Sequence, residues 1–478
     1  MADSIYSNIF DFNLYDILVG LFFFTIILIV FYRYASKMYA FDNSKAKVFK
    51  RILLIKLIAS IFFAMYHQFI YKGGDTLQYF SNSIAMNQYF GFDLFGLFGK
   101  LIKINLSGDY EFLTQLNMVE DKYGYDSSLF AVLKIASIIG VFTGNSFYAT
   151  SLFFSCISFF ASWYHYNTLI KIYPNLNKAL QLSILSVPSV LFWASGISKD
   201  SICISCVLII FASLINLITL KVNILKNIIV VVFLLYAVYI IKSYIAFTII
   251  PCILLWIALN YLKQIKNKDV RQILFPFVFI SIVLLGAFFA NRIASTDAKF
   301  SGKESFVEKA RTQQANLQVA GSAYSLGTNS QNPLIVGLLG IVVSIFRPFI
   351  WEVSNPLMVL AFLESSLIMI LFYFTFFKWG LGNAIGFLAK DSFILFTFAF
   401  TLIFASGVGA SSGNFGTLLR YKIPCLPFLV SSLLIMFQKF TGSVNYIHQS
   451  ALHRLLAKYF LGQIPPKRIS KPFNANIA

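Results

Sequence analysis

Charge is scarce in this sequence, since only 12% of its 478 residues are Asp, Glu, Lys or Arg. Soluble globular domains carry about 25% charged residues, so the composition excludes an ordinary soluble domain. Hydrophobic residues make up 58%, and they form runs of about 18 residues or more, the length that a helix needs to cross a bilayer. The runs are continuous and do not alternate with polar residues, which favours helices over a β-barrel. The sequence therefore predicts an all-α polytopic membrane protein.

Acidic residues and cysteines are also few. There are 19 Asp and Glu against 38 Lys and Arg, and five cysteines. Cytoplasmic loops of membrane proteins collect Lys and Arg, so we interpret the basic excess as a topology signal and predict no nucleic-acid partner. Cys203 and Cys206 lie in the apolar run ICISCVLII, without a flanking histidine or a second cysteine pair. We interpret them as small apolar residues and predict no metal site.

The basic residues predict how the chain threads the membrane. The segment RYASKMYAFDNSKAKVFKR follows the first apolar run, and its basic character places it in the cytoplasm. The N-terminus is then periplasmic and the C-terminus cytoplasmic. The loops KIYPNLNK, KVNILKN and KQIKNKDVR also fall inside. The pattern predicts about eleven transmembrane helices, near 15–32, 52–71, 147–168, 178–196, 201–220, 226–241, 245–262, 271–290, 356–378, 392–409 and 421–437.

Three regions follow from this topology. Residues 1–50 hold an extra N-terminal transmembrane helix and a cytoplasmic loop, residues 51–440 form the main transmembrane domain, and residues 441–478 form a basic cytoplasmic tail. The main domain has two long outer loops, at about 72–145 and 291–355.

Short apolar stretches occur within both outer loops. LFAVLKIASIIGVF lies in the first loop and LIVGLLGIVVSIF in the second. Both are short for a span, so we expect interfacial helices along the membrane surface in the first loop, and a re-entrant or surface helix in the second. The alternative, in which 129–143 spans the membrane, inverts the orientation of everything that follows.

Ionisable residues collect at the helix ends that this topology places outside. Charged groups at membrane depth are costly unless they are paired or near water, which makes these residues candidates for function. They are Asp75 in GGD, Lys199 and Asp200 in SGISKDS, Lys242 in IIKSY, Arg347 and Glu352 in FRPFIWE, and Arg420 and Lys422 in NFGTLLRYKIP; Glu364 lies inside the ninth predicted span.

Several of these residues also have a purely structural explanation. Asp75 could cap a surface helix, and Lys242 could extend from a helix end to water. Arg347 and Glu352 could form a structural ion pair, and Glu364 could be a buried carboxyl bonded to a neighbouring helix.

Taken together, the residues suit a substrate with a fatty tail, an anionic head at the interface and a reacting bond just above it. Arginine holds phosphate oxygens with a fork of donors, and a carboxylate can take a proton from an attacking hydroxyl. A lipid-linked phosphosugar has these features. The sequence identifies no particular cofactor, and a divalent metal is compatible with the carboxylates.

The order of features resembles the membrane-integral GT-C glycosyltransferases, which use polyprenyl-phosphate-linked sugars. An outer acid and a long outer loop precede VFTGNSFYATSLFFSCISFFASWYHY and NLNKALQLSILSVPSVLFWASGISKDSI, and the resemblance covers residues 50–220. Asp75 matches the family's first outer acid, and Pro188, Trp193 and Asp200 lie where its second acid-bearing loop would be. FRPFIWE and RYKIPCLPFL resemble segments of bacterial envelope-sugar membrane proteins. The extra N-terminal span and the single first acid depart from the family pattern.

The resemblance implies a glycosyltransferase of the bacterial inner membrane. It would move a hexosyl or pentosyl group from a polyprenyl-phosphate carrier to an acceptor glycan, lipid or protein in the periplasm, among membrane lipids. Asp75 is expected to be the base or the carboxylate that orients the acceptor, and Asp200 to support the acceptor or a metal. The expected substrate-binding residues are Arg420, Lys422, Arg347, Glu352, Lys199, Lys242 and Tyr79.

Two alternatives stay open. One keeps the chemistry but changes the acceptor: a polysaccharide polymerase or ligase that moves a whole glycan from a lipid-diphosphate carrier. The other belongs to a different class, a transporter or lipid flippase, for which Glu364 and Lys242 would be the intramembrane ionisable groups.

Overall fold

The structure is a computed structural model that describes residues 13–90, 127–262, 306–317, 330–443 and 450–462, with the single residues 264, 265, 267, 269, 270, 277, 323, 324, 326 and 327. The described chain is helical, and its one β-type pairing is an isolated bridge between Ala323 and Asn414. The helices are α1 (Leu14–Met38), α2 (Asn43–Met65), α3 (Asp75–Phe90), α4 (Ser127–Thr143), α5 (Phe147–Ile172), α6 (Asn177–Leu180), α7 (Pro188–Trp193), α8 (Lys199–Leu214), α9 (Ile224–Ile241), α10 (Ser243–Leu262), α11 (Phe306–Leu317), α12 (Pro333–Phe346), α13 (Pro356–Phe372), α14 (Leu381–Lys390), α15 (Ser392–Ser411), α16 (Phe415–Tyr421), α17 (Leu426–Ser443) and α18 (Ala451–Leu456).

Seven of the described helices are long and apolar enough to cross a membrane, as judged by length and composition. The prediction of an all-α protein with membrane-spanning helices is confirmed to that extent. The seven are α1, α8 with its π-helical extension to Leu220, α9, α10, α13 with its extension to Lys378, α15 and α17.

One predicted span is not a continuous helix. Residues 178–196 were expected to cross as one element, but α6 passes into a π-helical turn, Gln181–Leu185, and the helix stops before α7 begins at Pro188. Proline lacks a backbone N–H and restricts the residue before it, so Val187 adopts an extended conformation. The predicted span 271–290 lies outside the described residues, apart from residue 277.

Hydrogen bonds show which helix termini meet. Tyr148, at the start of α5, donates to Gln68 Oε1 just beyond α2 at 2.7 Å. The segment from 72 to 145 therefore begins and ends at one end of the bundle, as the predicted topology requires. At the opposite end, Tyr173, just after α5, donates to Asp391 Oδ2 at 2.8 Å, immediately before α15.

Helix α4 lies across the first of these ends. Near its start, Ser128 accepts a hydrogen bond of 2.6 Å from Lys199 Nζ at the beginning of α8. At its last residue, Thr143 Oγ1 lies 3.0 Å from Thr150 Oγ1 in the first turn of α5. Both ends of this helix of 17 residues therefore contact the same end of the bundle. The surface position expected for 129–143 relative to the membrane stays a prediction.

Helix α5 is the centre of the packing, since it contacts α1, α2 and α8. Four small hydroxyl residues, Ser151, Ser155, Ser158 and Ser162, recur at helical spacing along it and are all buried. Small residues at such a stripe let neighbouring backbones come close. Ser155 Oγ reaches the carbonyl of Lys56 in α2 at 3.0 Å, and Ser158 Oγ reaches the carbonyl of Ala194 at 2.6 Å.

Helices α12 and α15 cross at two glycines. A Cβ placed on Gly409 would lie 2.0 Å from the carbonyl oxygen of Gly340, and one on Gly340 would lie 2.4 Å from the carbonyl oxygen of Ser406. The two backbones are thus in direct contact, an approach that any larger residue prevents.

Candidate functional site

Four of the predicted residues meet in one hydrogen-bonded network, here called the Arg420 network: Asp75, Arg420, Asp200 and Lys242. Arg420 Nη2 donates to Asp75 Oδ2 at 2.8 Å, and Arg420 Nε donates to Asp200 Oδ2. Lys242 Nζ donates to the other oxygen, Asp200 Oδ1. Arg420 is separated along the chain by 345 residues from Asp75 and by 220 from Asp200. The expected meeting of distant acids and cations is therefore present.

Helix ends bring these side chains together. Asp200 is in the first turn of α8, which Ser198 caps by accepting from the N–H of Ser201 at 3.0 Å. Lys242 follows the last residue of α9, and Arg420 lies in the last turn of the short helix α16. These three ends point at one place because consecutive helices of the bundle run in opposite directions.

Asp75 is the first residue of α3, where a carboxylate also complements the helix dipole. The turn before it needs glycine at position 74, because Gly74 has φ +91° and an added Cβ would lie 2.9 Å from the ring of Tyr71. His67 closes the turn from below, with Nδ1 3.2 Å from the carbonyl of Gly73. The GGD sequence therefore turns the chain and presents the acid.

Exposure rises steadily across the Arg420 network. The Asp200 side chain is 0% exposed and that of Lys242 is 9% exposed, whereas the side chains of Arg420 and Asp75 are 20% and 45% exposed. Asp200 is buried and pairs with two cations, whereas Asp75 lies at the edge of the network that faces water. A buried charge is tolerated only when it is paired, which explains why Asp200 has two partners.

The charge around Asp75 sets its protonation state. Burial raises the pKa of its carboxyl, but the charge of Arg420 and the hydrogen bond from it, helped by Lys199 and Lys242, bring the pKa below its usual value. Asp75 is therefore an anion at neutral pH. As a base it is weak for as long as Arg420 holds it.

Two further predicted residues flank Asp75. Lys199 Nζ lies 5.9 Å from the ring centroid of Tyr79, in addition to its hydrogen bond to Ser128. Tyr79 is buried, one turn into α3. On the other side Tyr421, which the sequence analysis did not select, places its ring 4.6 Å from Lys242 Nζ. Aromatic faces thus stabilise both lysines.

Arg347 and Glu352 form a separate ionic pair, as one of the structural explanations expected. Arg347 Nε donates to Glu352 Oε1 at 2.9 Å and to Oε2 at 3.2 Å, and its Nη2 also reaches Oε1. The Arg347 guanidinium lies over the rings of Tyr324 and Phe415, at 4.5 and 5.1 Å from their centroids. Glu352 also accepts from the N–H of Phe349 at 2.8 Å.

Lys422 lies deeper than expected for a substrate-binding group, whereas Glu364 is buried, as expected for a residue inside a predicted span. Lys422 is 1% exposed, and its Nζ is 3.4 Å from the carbonyl of Arg347 and from Ser365 Oγ. Glu364 is 5% exposed and accepts from the N–H and hydroxyl of Ser189, at 2.8 and 3.0 Å. The explanation of Glu364 as a carboxyl bonded to a neighbouring element is confirmed. Lys422 contacts protein groups rather than the exposed edge of the site.

The sequence analysis missed Lys56, which is 3% exposed in α2 and donates to the carbonyl of Val190 at 3.2 Å. With Glu364 at Ser189, two charged side chains from different helices hold the short helix α7. This helix leads to the short loop before α8, whose first turn carries Asp200. The available signal was the lone lysine in the apolar run LLIKLIASIFF.

Among the residues that the structure describes, no group of three or more His, Cys, Asp or Glu side chains is placed to hold a metal ion. Asp75 and Asp200 both use an oxygen to bind Arg420. Within the described part of the chain, the predicted divalent-metal role of Asp200 has no third ligand. Chemically, the network places Arg420, a cation that can bind an anionic group, beside Asp75, a carboxylate that can accept a proton.

The chain was compared with protein-family models, with curated proteins and with solved structures, and none of the three comparisons found a match.

Proposed function

We propose that the protein is a membrane glycosyltransferase that takes a sugar from a polyprenyl-phosphate carrier and passes it to an acceptor hydroxyl on the periplasmic face of a bacterial inner membrane. One observation carries the proposal: Asp75, Asp200 and Arg420, which lie far apart in sequence, share one hydrogen-bonded network with Lys242, beside the start of α8 and the end of α9, two helices long and apolar enough to cross a membrane. A lipid-linked anion would have its tail among those helices and its head at that network.

Each member of the network has a role in this proposal. Arg420 binds the carrier phosphate, since its planar fork of donors suits phosphate oxygens. Asp75, the exposed acid, accepts the proton of the attacking hydroxyl. Asp200 and Lys242 fix the Arg420 guanidinium and keep the local charge balanced. Positioning and charge stabilisation supply the rest of the rate enhancement, because the lipid phosphate is a good leaving group.

The test has two parts. Lipids that co-purify with the protein are extracted and identified by mass spectrometry, and we expect a polyprenyl phosphate. Purified protein is then assayed for sugar transfer from polyprenyl-phosphate sugars, with Asp75→Asn expected to abolish turnover while the melting temperature and expression stay close to wild type. Full turnover by Asp75→Asn removes Asp75 from the mechanism.

The alternative of a polymerase or ligase acting on a lipid diphosphate depends on the second arginine. Arg347 lies close to the segment that carries Arg420. Lys422, two residues after Arg420, has its Nζ 3.4 Å from the carbonyl oxygen of Arg347. A diphosphate has two anionic groups to hold, so it would make Arg347 as necessary as Arg420. Charge removal at each arginine separately distinguishes the two donors.

A transporter or flippase is supported by a different observation, the interrupted segment at α6 and α7 with Glu364 and Lys56 buried against it. Interrupted helices with ionisable partners are typical of transporter binding sites. In that case a labelled polyprenyl-phosphate lipid would change leaflets in proteoliposomes without a change in its chemistry.

A further inference from the structure

The network is arranged so that one of its bonds is much easier to break than the others. Asp200 is fully buried and receives hydrogen bonds from both Arg420 and Lys242. Removing it would leave two buried cations without their anion, which is costly. Asp75 is 45% exposed and is held by Arg420 at 2.8 Å. The bond between Asp75 and Arg420 is therefore the one that water or a ligand can replace.

Charge balance limits when the site can bind an anion. Asp75 and Asp200 carry two negative charges, against two positive charges on Arg420 and Lys242, so the network is neutral. Without Asp75 the remaining three groups carry one net positive charge. An anionic ligand is attracted to Arg420 more strongly once the carboxylate of Asp75 has left it, with the charge of Lys199 nearby adding to the attraction.

The donor geometry leads to the same conclusion. The Nε of Arg420 is committed to the buried Asp200, and its Nη2 is committed to Asp75. A phosphate oxygen that takes Nη2 as its donor in place of Asp75 has to replace the Asp75 carboxylate. Phosphate and carboxylate are alternative acceptors for the same donor.

We propose that an isoprenyl phosphate displaces Asp75 from Arg420, so that arrival of the donor lipid itself releases the carboxylate that acts as the base. The inference rests on the proposed function for its catalytic part, and on the geometry alone for its binding part. It makes Asp75 a competitor of the ligand as well as a participant in the reaction.

The released carboxylate completes a balanced step. An acceptor hydroxyl oxygen forms a bond to the anomeric carbon while its proton passes to Asp75. The bond between the anomeric carbon and the carrier phosphate oxygen breaks, and its electron pair stays on that phosphate. Arg420 holds the phosphate as its charge increases. When the lipid phosphate leaves, Asp75 gives its proton to water and binds Arg420 again.

The test measures binding without turnover. Purified wild type and Asp75→Asn in detergent are titrated with a short-chain isoprenyl monophosphate, and with the uncharged isoprenol of the same length. We expect Asp75→Asn to bind the phosphate about tenfold more tightly, the order expected when one charge-assisted hydrogen bond no longer competes. Isoprenol should bind both proteins equally. Inorganic phosphate should compete more strongly in Asp75→Asn than in wild type, because the anion is the displacing group.

The matched control is Asp42→Asn, which neutralises an exposed acid before α2 while asparagine keeps the N-cap to the N–H of Lys45, and which should leave the affinity unchanged. Asp75→Ser is a second variant in case the asparagine refills the position on Arg420. If both Asp75 variants melt like wild type and bind the isoprenyl phosphate equally well or more weakly than wild type, the exchange is refuted.

This outcome is separable from that of the proposed function. Tighter binding by Asp75→Asn, together with no sugar transfer by wild type, supports the exchange and removes the glycosyltransferase. Sugar transfer by wild type, together with unchanged binding by Asp75→Asn, does the reverse.

Discussion

Two arginines of this protein have similarly exposed side chains, but one binds an acid that is near in sequence and the other binds acids that are far away. The Arg420 side chain is 20% exposed and that of Arg347 is 16% exposed. Arg347 binds Glu352, five residues further along the same loop. Arg420 binds two acids that are 220 and 345 residues away. The ionic contact of Arg347 therefore links two positions of one loop, whereas that of Arg420 links helices that are distant in sequence.

The difference indicates where function concentrates. A pair within one loop orders that loop and needs no other part of the fold. The Arg420 network, which links α3, α8, α9 and α16, forms only when these helices have packed together. It also places the half-exposed Asp75 at the edge of the network. The comparison predicts that disrupting the Arg420 network is costly for both stability and activity, whereas disrupting the Arg347 pair affects mainly one loop.

The largest effect is expected for Arg420→Met. It leaves Asp75 without its cation and Asp200 with Lys242 alone, and breaking a buried pair costs about 4 kcal/mol. Denaturant unfolding in detergent measures the loss, and sugar transfer should fall below detection. Arg33→Met, at an exposed position in α1, is the matched control. Unfolding like wild type would mean that the network does not stabilise the bundle.

Asp200→Asn comes next, at about 3 kcal/mol, because two buried cations lose their shared anion. The double variant Asp200→Asn with Lys242→Met should recover part of this loss, since it removes one of the two uncompensated charges. The comparison of single and double variants in the same unfolding assay checks the pairing. Losses that simply add would argue against a direct interaction.

Arg347→Ala is expected to cost about 2 kcal/mol, from the lost hydrogen bonds to Glu352. Sugar transfer from a monophosphate carrier should persist, because the pair lies outside the Arg420 network. Parallel assays of Arg347→Ala and Arg420→Met give the ratio of the two effects. Equal loss of turnover in both variants would instead favour a lipid-diphosphate donor.

Glu364→Gln is expected to cost about 1 kcal/mol, because glutamine keeps one acceptor for Ser189 and loses the other. Any effect on the site would pass through α7, so binding of the substrate should change less than its turnover. Ser189→Ala removes the hydroxyl from the same contact and serves as the comparison. A Glu364→Gln protein that loses all donor binding would place Glu364 in the site itself.

The smallest effect is the pH dependence of Asp75. The folded protein holds its pKa below the usual value, so the ion pair contributes stability above the unfolded pKa of about 3.9. That contribution is lost as the pH falls through the lower folded pKa. Melting temperatures measured from pH 6 down to pH 3 should decline more in wild type than in Asp75→Asn. Parallel curves would show that the pair adds no stability.

The candidate site was predictable from the sequence to the extent that its members are conspicuous. A charged residue at the end of an apolar run is visible without coordinates, and Asp75, Asp200, Lys242 and Arg420 were all selected on that ground. The pairing among them was not predictable, because it depends on which helix ends meet. Their roles as base and phosphate ligands stay predictions.

Other features depend on packing that the one-dimensional pattern does not contain. Residues 178–196 were predicted as one span from their apolar character, although Pro188 within them was a visible signal that the helix could stop. Lys56 and Glu364 make sense only once α7 is known to lie between them. The burial of Lys422 was not predictable for the same reason, because it is set by neighbouring helices, and its role in substrate binding stays a prediction.

The contact between Gly340 and Gly409 has a consequence for how this bundle could vary. At this crossing the backbones of α12 and α15 touch directly. The position of one helix along the other is therefore set by backbone atoms and not by packed aliphatic side chains. A cluster of aliphatic residues would tolerate many substitutions, with small shifts of one helix along the other. The close backbone contact at this crossing instead fixes the position of α12 along α15. Because Arg347 follows α12 directly, its position depends on this contact as well.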